Sequence, residues 1–299
     1  MRGPELTVSM PAYNAGPYAR EAIESVLSQE AIDFELIVVD DGSTDGTAQV
    51  VESFADPRVR LIRHDRNLGI GRAHNRVLAA SHAPFIAHVD ADDVVLPGAL
   101  RRMLAAFEDA PRVGLAHCHY LLIDRHGTVR GDSVRRMSPG VDYRRELLVR
   151  GGSIANHLRT YRREALEAVG PFDERGGVGV DSEMALRILD RYEIRLVAEV
   201  LYAQRLHGSN ACQSMPFKEV RLWYRRAANA RRLVRSGQVR YLRGREHGLN
   251  RLTIAGLQHA LAAAAWRLAP GVLWRASRLF SAGFSRADRP GSGGLPARR

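Results

Sequence analysis

FELIVVDDGSTDGT, residues 34–47, and APFIAHVDADD, residues 83–93, decide the reading of this 299-residue chain. Each is a run of β-branched and aromatic residues that stops abruptly in carboxylates. A parallel strand buried on both faces has this continuous apolar pattern. The carboxylates then fall at the carboxyl edge of a sheet, where open α/β sheets bind their ligands. Two acidic strand ends at one edge point to a ligand carrying base, sugar, phosphate and metal.

Outward from these stretches, strand and helix alternate. Strand 6–12 leads to a helix over 17–29, with Pro17 suited to its first turn. Strand 34–39 leads to a helix over 45–54, with Ser43 or Thr44 as its cap. Strand 59–63 precedes a helix over 71–80, and strand 84–89 precedes one over 97–108. Four successive βα units predict a mainly parallel, Rossmann-like sheet flanked by helices, with right-handed crossovers. A strand over 113–123, a polar loop over 128–139 and a short helix over 143–150 follow. Residues 151–174 read as a strand and a short helix. GGVG then introduces a helix over 181–191, and a strand over 195–203 comes after it. From Phe217 to about residue 284 the pattern is helical, amphipathic and Arg-rich, and the last dozen residues are Gly/Pro/Ser/Arg-rich, a composition that favours disorder.

The formal charge of +11 is unevenly spread. Residues 1–110 carry 10 basic and 17 acidic groups, residues 111–216 carry 16 and 13, and residues 217–299 carry 18 and 3. The whole basic excess therefore sits in the tail. Cys118 and Cys212 are the only cysteines, which excludes a disulfide framework or zinc site and fits a reducing compartment. Leu6 to Tyr13 reads as a strand, not a signal peptide. No apolar run reaches the ~18 residues of a membrane span. The nearest, residues 254–274, is broken by Gln258, His259, Arg267 and Pro270.

Two groups carry chemistry by their spacing, and a third, Asp181, is singled out by the resemblance described below. Asp40 and Asp41 are adjacent, so in a strand they point to opposite sides. One can accept an imide N–H or a ribose hydroxyl while the other caps local backbone. Asp90 and Asp92, two apart, project to the same side of an extended strand, and their repulsion asks for a cation. A hard divalent ion suits such oxygen ligands and a diphosphate. Asp181 opens a helix, where the N-terminus also stabilises a carboxylate of no catalytic use.

The order PAYN, DDGSTDGT, NLGIGRAHN and DADD, closed by GPFDERGGVGVDSEMALRI, resembles the family-2 glycosyltransferases of the GT-A fold over about residues 6–210. The resemblance implies an inverting transfer from a nucleotide-diphospho-sugar, with a UDP-sugar favoured, to a glycan or lipid-linked acceptor. It implies that Pro11, Tyr13, Asn14 and Asp41 line the nucleoside pocket and that Asp90 lies near the ribose. Asp92 would ligate Mn²⁺ or Mg²⁺, and Asp181 would be the catalytic base. His207, in RLHGSN, completes the metal's shell or contacts the diphosphate. The chain has His74-Asn75 where many members have Arg-Asn, so Arg72 becomes the candidate cation near the phosphates. Val180 stands where the common form has Glu.

The implied organisation is a catalytic domain over 1–215, divided at 110 into nucleotide- and acceptor-binding halves. An Arg-rich helical extension over 216–285 and a disordered tail over 286–299 follow it. The extension either packs on the catalytic domain or adheres to an anionic membrane surface. The implied setting is bacterial cell-surface or exopolysaccharide synthesis, in the cytoplasm or peripherally on the inner face of the plasma membrane. Nucleic acid is not an expected partner. Two rivals are a sugar-nucleotidyltransferase and a non-catalytic relative that binds membrane or polymer. The first should carry a Gly-rich basic loop after its first strand, where this chain has PAYNAGPY. The second would be free to lose Asp92 or Asp181, and both are present.

Overall fold

The computed structural model describes residues 3–129, 134–135, 143, 155, 157–174 and 180–208. The expected helix over 143–150, apart from Tyr143, the GGVG turn and the whole basic extension lie outside the described residues.

Strands β1 (Leu6–Ala12), β2 (Phe34–Asp40), β3 (Val59–Arg63) and β4 (Phe85–His88) form the parallel half of one sheet, in the order β3-β2-β1-β4. β1 and β2 are buried almost throughout, as their continuous apolar runs predict. Register pairs Ala12 with Asp40, and Asp40 with Arg63. The three strands therefore end level, and their following loops share one edge. The helices between them are α1 (Gly16–Leu27), α2 (Thr47–Glu52) and α3 (Ile70–Ala80), with β5 (Val94–Val95) and α4 (Ala99–Ala105) after β4.

The second half is mixed. β6 (Val113–Ile123) matches the sequence reading, and β7 (Thr160–Arg162) leads straight into α5 (Arg163–Val169). α6 (Val180–Leu189) and β8 (Glu193–Arg205) complete the described elements. β7 is antiparallel to both β4 and β6, whereas β6 and β8 are parallel. This has a functional consequence. β7 begins at the edge where β4 ends, with His88 N–H bonded to Arg159 O at 2.8 Å. β8 also ends there, because it runs parallel to β6 and so in the direction of β4.

Alternation along the strands sorts the core onto two faces. Leu36 and Val38 pack with Ala19, Ile23 and Val26 of α1 and with Leu100 and Met103 of α4. Ile37 and Val39 pack with Ala73 and Val77 of α3. Ile86, Leu115 and Tyr161 join Leu166 and Met184 of α5 and α6. Each fully buried aliphatic side chain contributes roughly 1.5–3 kcal/mol. Two glycines are needed for close approach at the ligand edge. A Cβ on Gly42, whose φ is +75°, would lie 2.4 Å from the Arg66 backbone. One on Gly71 would lie 2.5 Å from Asp173 O, so α3 could not approach residues 173–174.

Candidate active site

The loops after β1 and β2 are stitched together by polar side chains. Asn14 adopts a left-handed backbone with φ 51°, its N–H donates to Ser43 Oγ at 2.9 Å, and its Oδ1 accepts from Thr44 N at 2.9 Å. Ser43 and Thr44 are therefore used across the loops and do not cap α2, whose N-cap is Gly46. Asp45 takes the capping role. It accepts the Gly16 N–H at the start of α1 at 2.9 Å and the Thr47 N–H of α2 at 3.1 Å. Burial would raise its pKa, but the Thr47 hydroxyl and these N–H groups outweigh that and lower it. Tyr13, just beyond Pro11, leaves its ring 51% exposed at this edge.

Asp40 and Asp41 are both buried and both hold backbone. Asp40 accepts from Ser43 N at 3.0 Å. Asp41 accepts from Leu68 N, Gly69 N and His64 Nδ1 at 2.9, 2.8 and 2.7 Å. The carboxylate expected at the nucleoside thus fastens the loop between β3 and α3. Arg72, expected near the phosphates, is half-exposed and paired with Glu174 at 3.0 Å. Asn75 exchanges two bonds with the Phe172 backbone, at 3.0 and 2.8 Å, which fixes the 172–174 segment on α3.

The acidic turn departs from simple strand alternation. β4 ends at His88, and residues 89–93 turn, with Asp93 N–H reaching Asp90 O at 3.2 Å. The turn brings Asp90 together with Asp93 and His157, and Asp92 stays close enough to feel the charge of Asp90. His157 Nδ1 lies 3.6 Å from Asp90 Oδ2 and 3.8 Å from Asp93 Oδ2, and its ring stacks on Tyr202 at 4.9 Å. Asp92 instead meets the residue expected to share its ion: His207 Nε2 lies 2.8 Å from Asp92 Oδ2.

Three carboxylates crowded here titrate apart. Burial would raise Asp90, but the hydrogen bond and charge of His157 and the charges of Arg159 and His74 hold it down at about 2. Burial and the charge of Asp90 raise Asp92 despite its bond to His207. Burial and the charges of Asp92 and Asp90 push Asp93 well above the carboxylate range. Carboxylates kept from ionising together are relieved by a cation. At this turn Asp90, Asp93 and His157 place ligand-type atoms within 4.8 Å of one another, and Asp92 and His207 are bonded to each other beside them.

Asp181 lies in the first turn of α6. Its Oδ2 accepts from Arg159 Nη2 at 2.8 Å, while its buried Oδ1 has no hydrogen-bond partner among the described residues. One oxygen is fixed and the other is, among the described residues, an unused acceptor. Glu183 is committed elsewhere, bonded to Arg187 at 2.8 Å one turn on. Arg159 joins the two acidic centres, since its charge is felt at Asp90 as well as by its direct partner. The functional environment therefore includes His157 and Arg159, which sequence reading missed. Both lie just before β7, in a stretch whose only outward signal is HLRTYR preceding a short helix.

His74, His88 and Asp181 also place ligand-type atoms within 4.8 Å of one another. The two imidazoles are stacked, 3.8 Å apart and 8° from parallel. Lone pairs in parallel ring planes do not converge on one ion, and the Arg159 guanidinium already neutralises Asp181. This cluster is packing beneath Asp181.

The family model described as "Glycosyl transferase family 2" matches residues 7–170. The chain is similar to chondroitin synthase of Escherichia coli, 31% identical over 214 residues, covering 70% of this chain and 30% of that protein. It is similar to the succinoglycan biosynthesis protein ExoO of Rhizobium meliloti (strain 1021), 46% identical over 101 residues, covering 34% of this chain and 29% of that protein. The chain thus spans about a third of these curated relatives. The fold is that of S. aureus TarS 1-349, solved in complex with UDP, with TM-score 0.61 and 19% identity, covering 86% of this chain and 70% of that one. It is also that of the mannosyltransferase PcManGT from Pyrobaculum calidifontis, solved in complex with GDP-Man and Mn²⁺, with TM-score 0.58 and 21% identity, covering 96% and 82%.

Proposed function

The chain belongs to glycosyl transferase family 2, and from that premise we propose that it transfers a sugar, with inversion, from a nucleotide-diphospho-sugar to an acceptor hydroxyl. One observation carries this reading. Asp181, with one oxygen held by Arg159 and the other without a hydrogen-bond partner among the described residues, shares the field of Arg159 with Asp90 of the acidic turn, the turn that also carries Asp92 and its partner His207. That is the division of labour an inverting single displacement requires.

In this reading Asp92 and His207 would hold Mn²⁺ or Mg²⁺. Such an ion, when bound, supplies charge neutralisation for the departing diphosphate. The remaining work is done by the chain. Arg159 orients Asp181 through Oδ2, so that Oδ1 receives the acceptor proton as the hydroxyl attacks the anomeric carbon opposite the nucleotide. Tyr13 offers a ring to the base, beside Pro11 and Asn14, and Asp90 stands at the ribose. Holding donor and acceptor in line contributes a large share of the rate. The similarity to chondroitin synthase and to a succinoglycan biosynthesis protein supports a role in polysaccharide synthesis, and the UDP and GDP-Man bound in solved structures of this fold support a nucleotide-sugar donor, for which we propose a UDP-sugar and a glycan or lipid-linked acceptor. Among the described residues no helix is long and apolar enough to cross a membrane. We place the reaction where nucleotide-sugars are made, in the cytoplasm.

A panel of UDP- and GDP-sugars tests the reading, scored by thermal shift with and without Mn²⁺. The preferred donor is then followed by NMR at the anomeric proton during transfer to oligosaccharide acceptors. An α-linked donor should give a β-linked product. A product of retained configuration would remove the single-displacement mechanism and the role of Asp181.

A further inference from the structure

We propose that Arg205 is a positioning residue that builds the metal end of the site, setting the Asp92–His207 geometry from below. The proposal rests on the reading of Asp92 and His207 as metal ligands. Arg205 is the largest fully buried side chain among the described residues, 1% exposed. A buried guanidinium is expensive to desolvate unless its donors are satisfied. Those of Arg205 are spent on the turn that carries the acidic cluster and on its surroundings. Nε donates to Asp92 O at 2.9 Å, Nη2 to Glu21 Oε2 of α1 at 2.6 Å, and Nη1 reaches Asp124 O at 3.4 Å. The Arg205 backbone N–H donates to Asp93 Oδ1 at 2.8 Å.

Its second hold is through an aromatic ring. The guanidinium carbon lies 5.2 Å from the Tyr18 ring centroid, and Tyr18 packs against the His207 imidazole at 4.6 Å. Arg205 therefore grips the backbone of one ligand directly and the ring of the other through Tyr18. Both are referred to the rigid helix α1, which supplies Glu21 and Tyr18. Outer groups of this kind fix ligand orientation, and their loss typically lowers metal affinity by roughly 10–100-fold. Lysine cannot reproduce the hold, because one ammonium cannot span the diverging partners that the planar fork reaches. This assigns the arginine of the R-x-H sequence a task that spacing alone does not reveal.

The test measures Mn²⁺ binding, not turnover. Free Mn²⁺ is followed by EPR as protein is added in the presence of UDP or GDP, whichever wild type binds. Nucleotide affinity in EDTA and thermal unfolding are measured alongside. Arg205→Lys should weaken Mn²⁺ binding by roughly 10-fold or more while affinity for the nucleotide in EDTA changes less than about 3-fold. Arg162→Lys is the control for stability alone. That side chain bonds the Val113 and Ala110 carbonyls near the opposite end of β7, so its loss should lower the melting temperature without weakening Mn²⁺ binding. If Arg205→Lys does not fold, Glu21→Gln and Tyr18→Leu each free one anchor and should each weaken Mn²⁺ binding several-fold. A folded Arg205→Lys with wild-type Mn²⁺ affinity overturns the proposal, as do wild-type affinities in both substitute variants. Asp92→Asn separates the two levels. If Asp92→Asn binds Mn²⁺ as wild type does, the metal reading itself fails and takes this proposal with it. If Asp92→Asn loses Mn²⁺ and Arg205→Lys does not, only the positioning role of Arg205 fails.

Discussion

Replacing Asp181 by Asn perturbs one atom and should have two separable effects. The first is on stability. Asp181 and Arg159 form a 2.8 Å ion pair whose side chains are 20% and 10% exposed. Removing one partner of a buried pair leaves the other charge uncompensated, at a cost of roughly 3–5 kcal/mol. The asparagine oxygen can still accept one bond from Nη2, which puts the expected loss near the lower end, about 3 kcal/mol. For a folded unit of roughly 200 residues each kcal/mol is worth about 2–4 °C, so the melting temperature should fall by about 6–12 °C. The second effect is on chemistry. Turnover should fall by roughly 10²–10⁴ with the base removed, while donor affinity stays within a few-fold. Thermal unfolding, donor titration calorimetry and initial rates measure the three quantities on one preparation. The double variant Arg159→Met with Asp181→Leu removes both charges, so it should regain most of the stability and none of the turnover. A melting temperature for Asp181→Asn within 2 °C of wild type would refute the buried-pair reasoning. Normal turnover with a large loss of donor affinity would move Asp181 to a binding role.

Three further expectations follow from the site, the core and the tail. Burial pushes His74 down from the ordinary 6.5 to about 4. Its folded-state pKa is thus below its unfolded one, so stability is intact above pH 6.5 and is lost as pH falls toward 4. The loss at pH 5 should be about 2 kcal/mol, and denaturant unfolding at pH 7.5 and 5 should show it shrink by that amount in His74→Gln. Because burial and Asp90 raise Asp92, the proton competes with the metal: Mn²⁺ affinity, read by EPR, should fall as the solution is acidified through the raised pKa, and a pH-independent affinity would contradict that. Full-length protein should sediment with anionic vesicles at low salt, less at high salt and poorly with neutral vesicles, because residues 217–299 carry 18 basic and 3 acidic groups. Failure to bind anionic vesicles at low salt would make the basic segment a purely structural one.

Much of the site was legible because it is delivered by strands with strong periodic signals. The runs ending at Asp40 and His88 are buried on both faces, so their ends, and hence the edge that bears Asp90 and Asp92, could be found from apolar pattern alone. Two kinds of information were not local. Alternation fails beyond His88, where the chain turns and regroups Asp90 with Asp93 and His157; a strand rule cannot see that change of backbone. Arg159 and Arg205 are buried by contacts 22 to 184 residues distant, to Asp181 and Glu21, and nothing in their immediate neighbours distinguishes them from solvated arginines. The same holds for Ser43 and Thr44, whose residue types suit a helix cap but whose partner proved to be Asn14. Side-chain type limits what a residue can bond to, and the topology chooses among those partners.

The central claim is that this edge of the sheet binds a nucleotide-diphospho-sugar through a divalent ion on Asp92 and His207 and breaks its anomeric bond. Release of nucleoside diphosphate from the donor selected in the nucleotide-sugar panel, measured with Mn²⁺, with EDTA and in Asp92→Asn, tests it most directly. The account predicts release with Mn²⁺ that is abolished by EDTA and by Asp92→Asn. Equal release in EDTA, or undiminished release from Asp92→Asn, would contradict it.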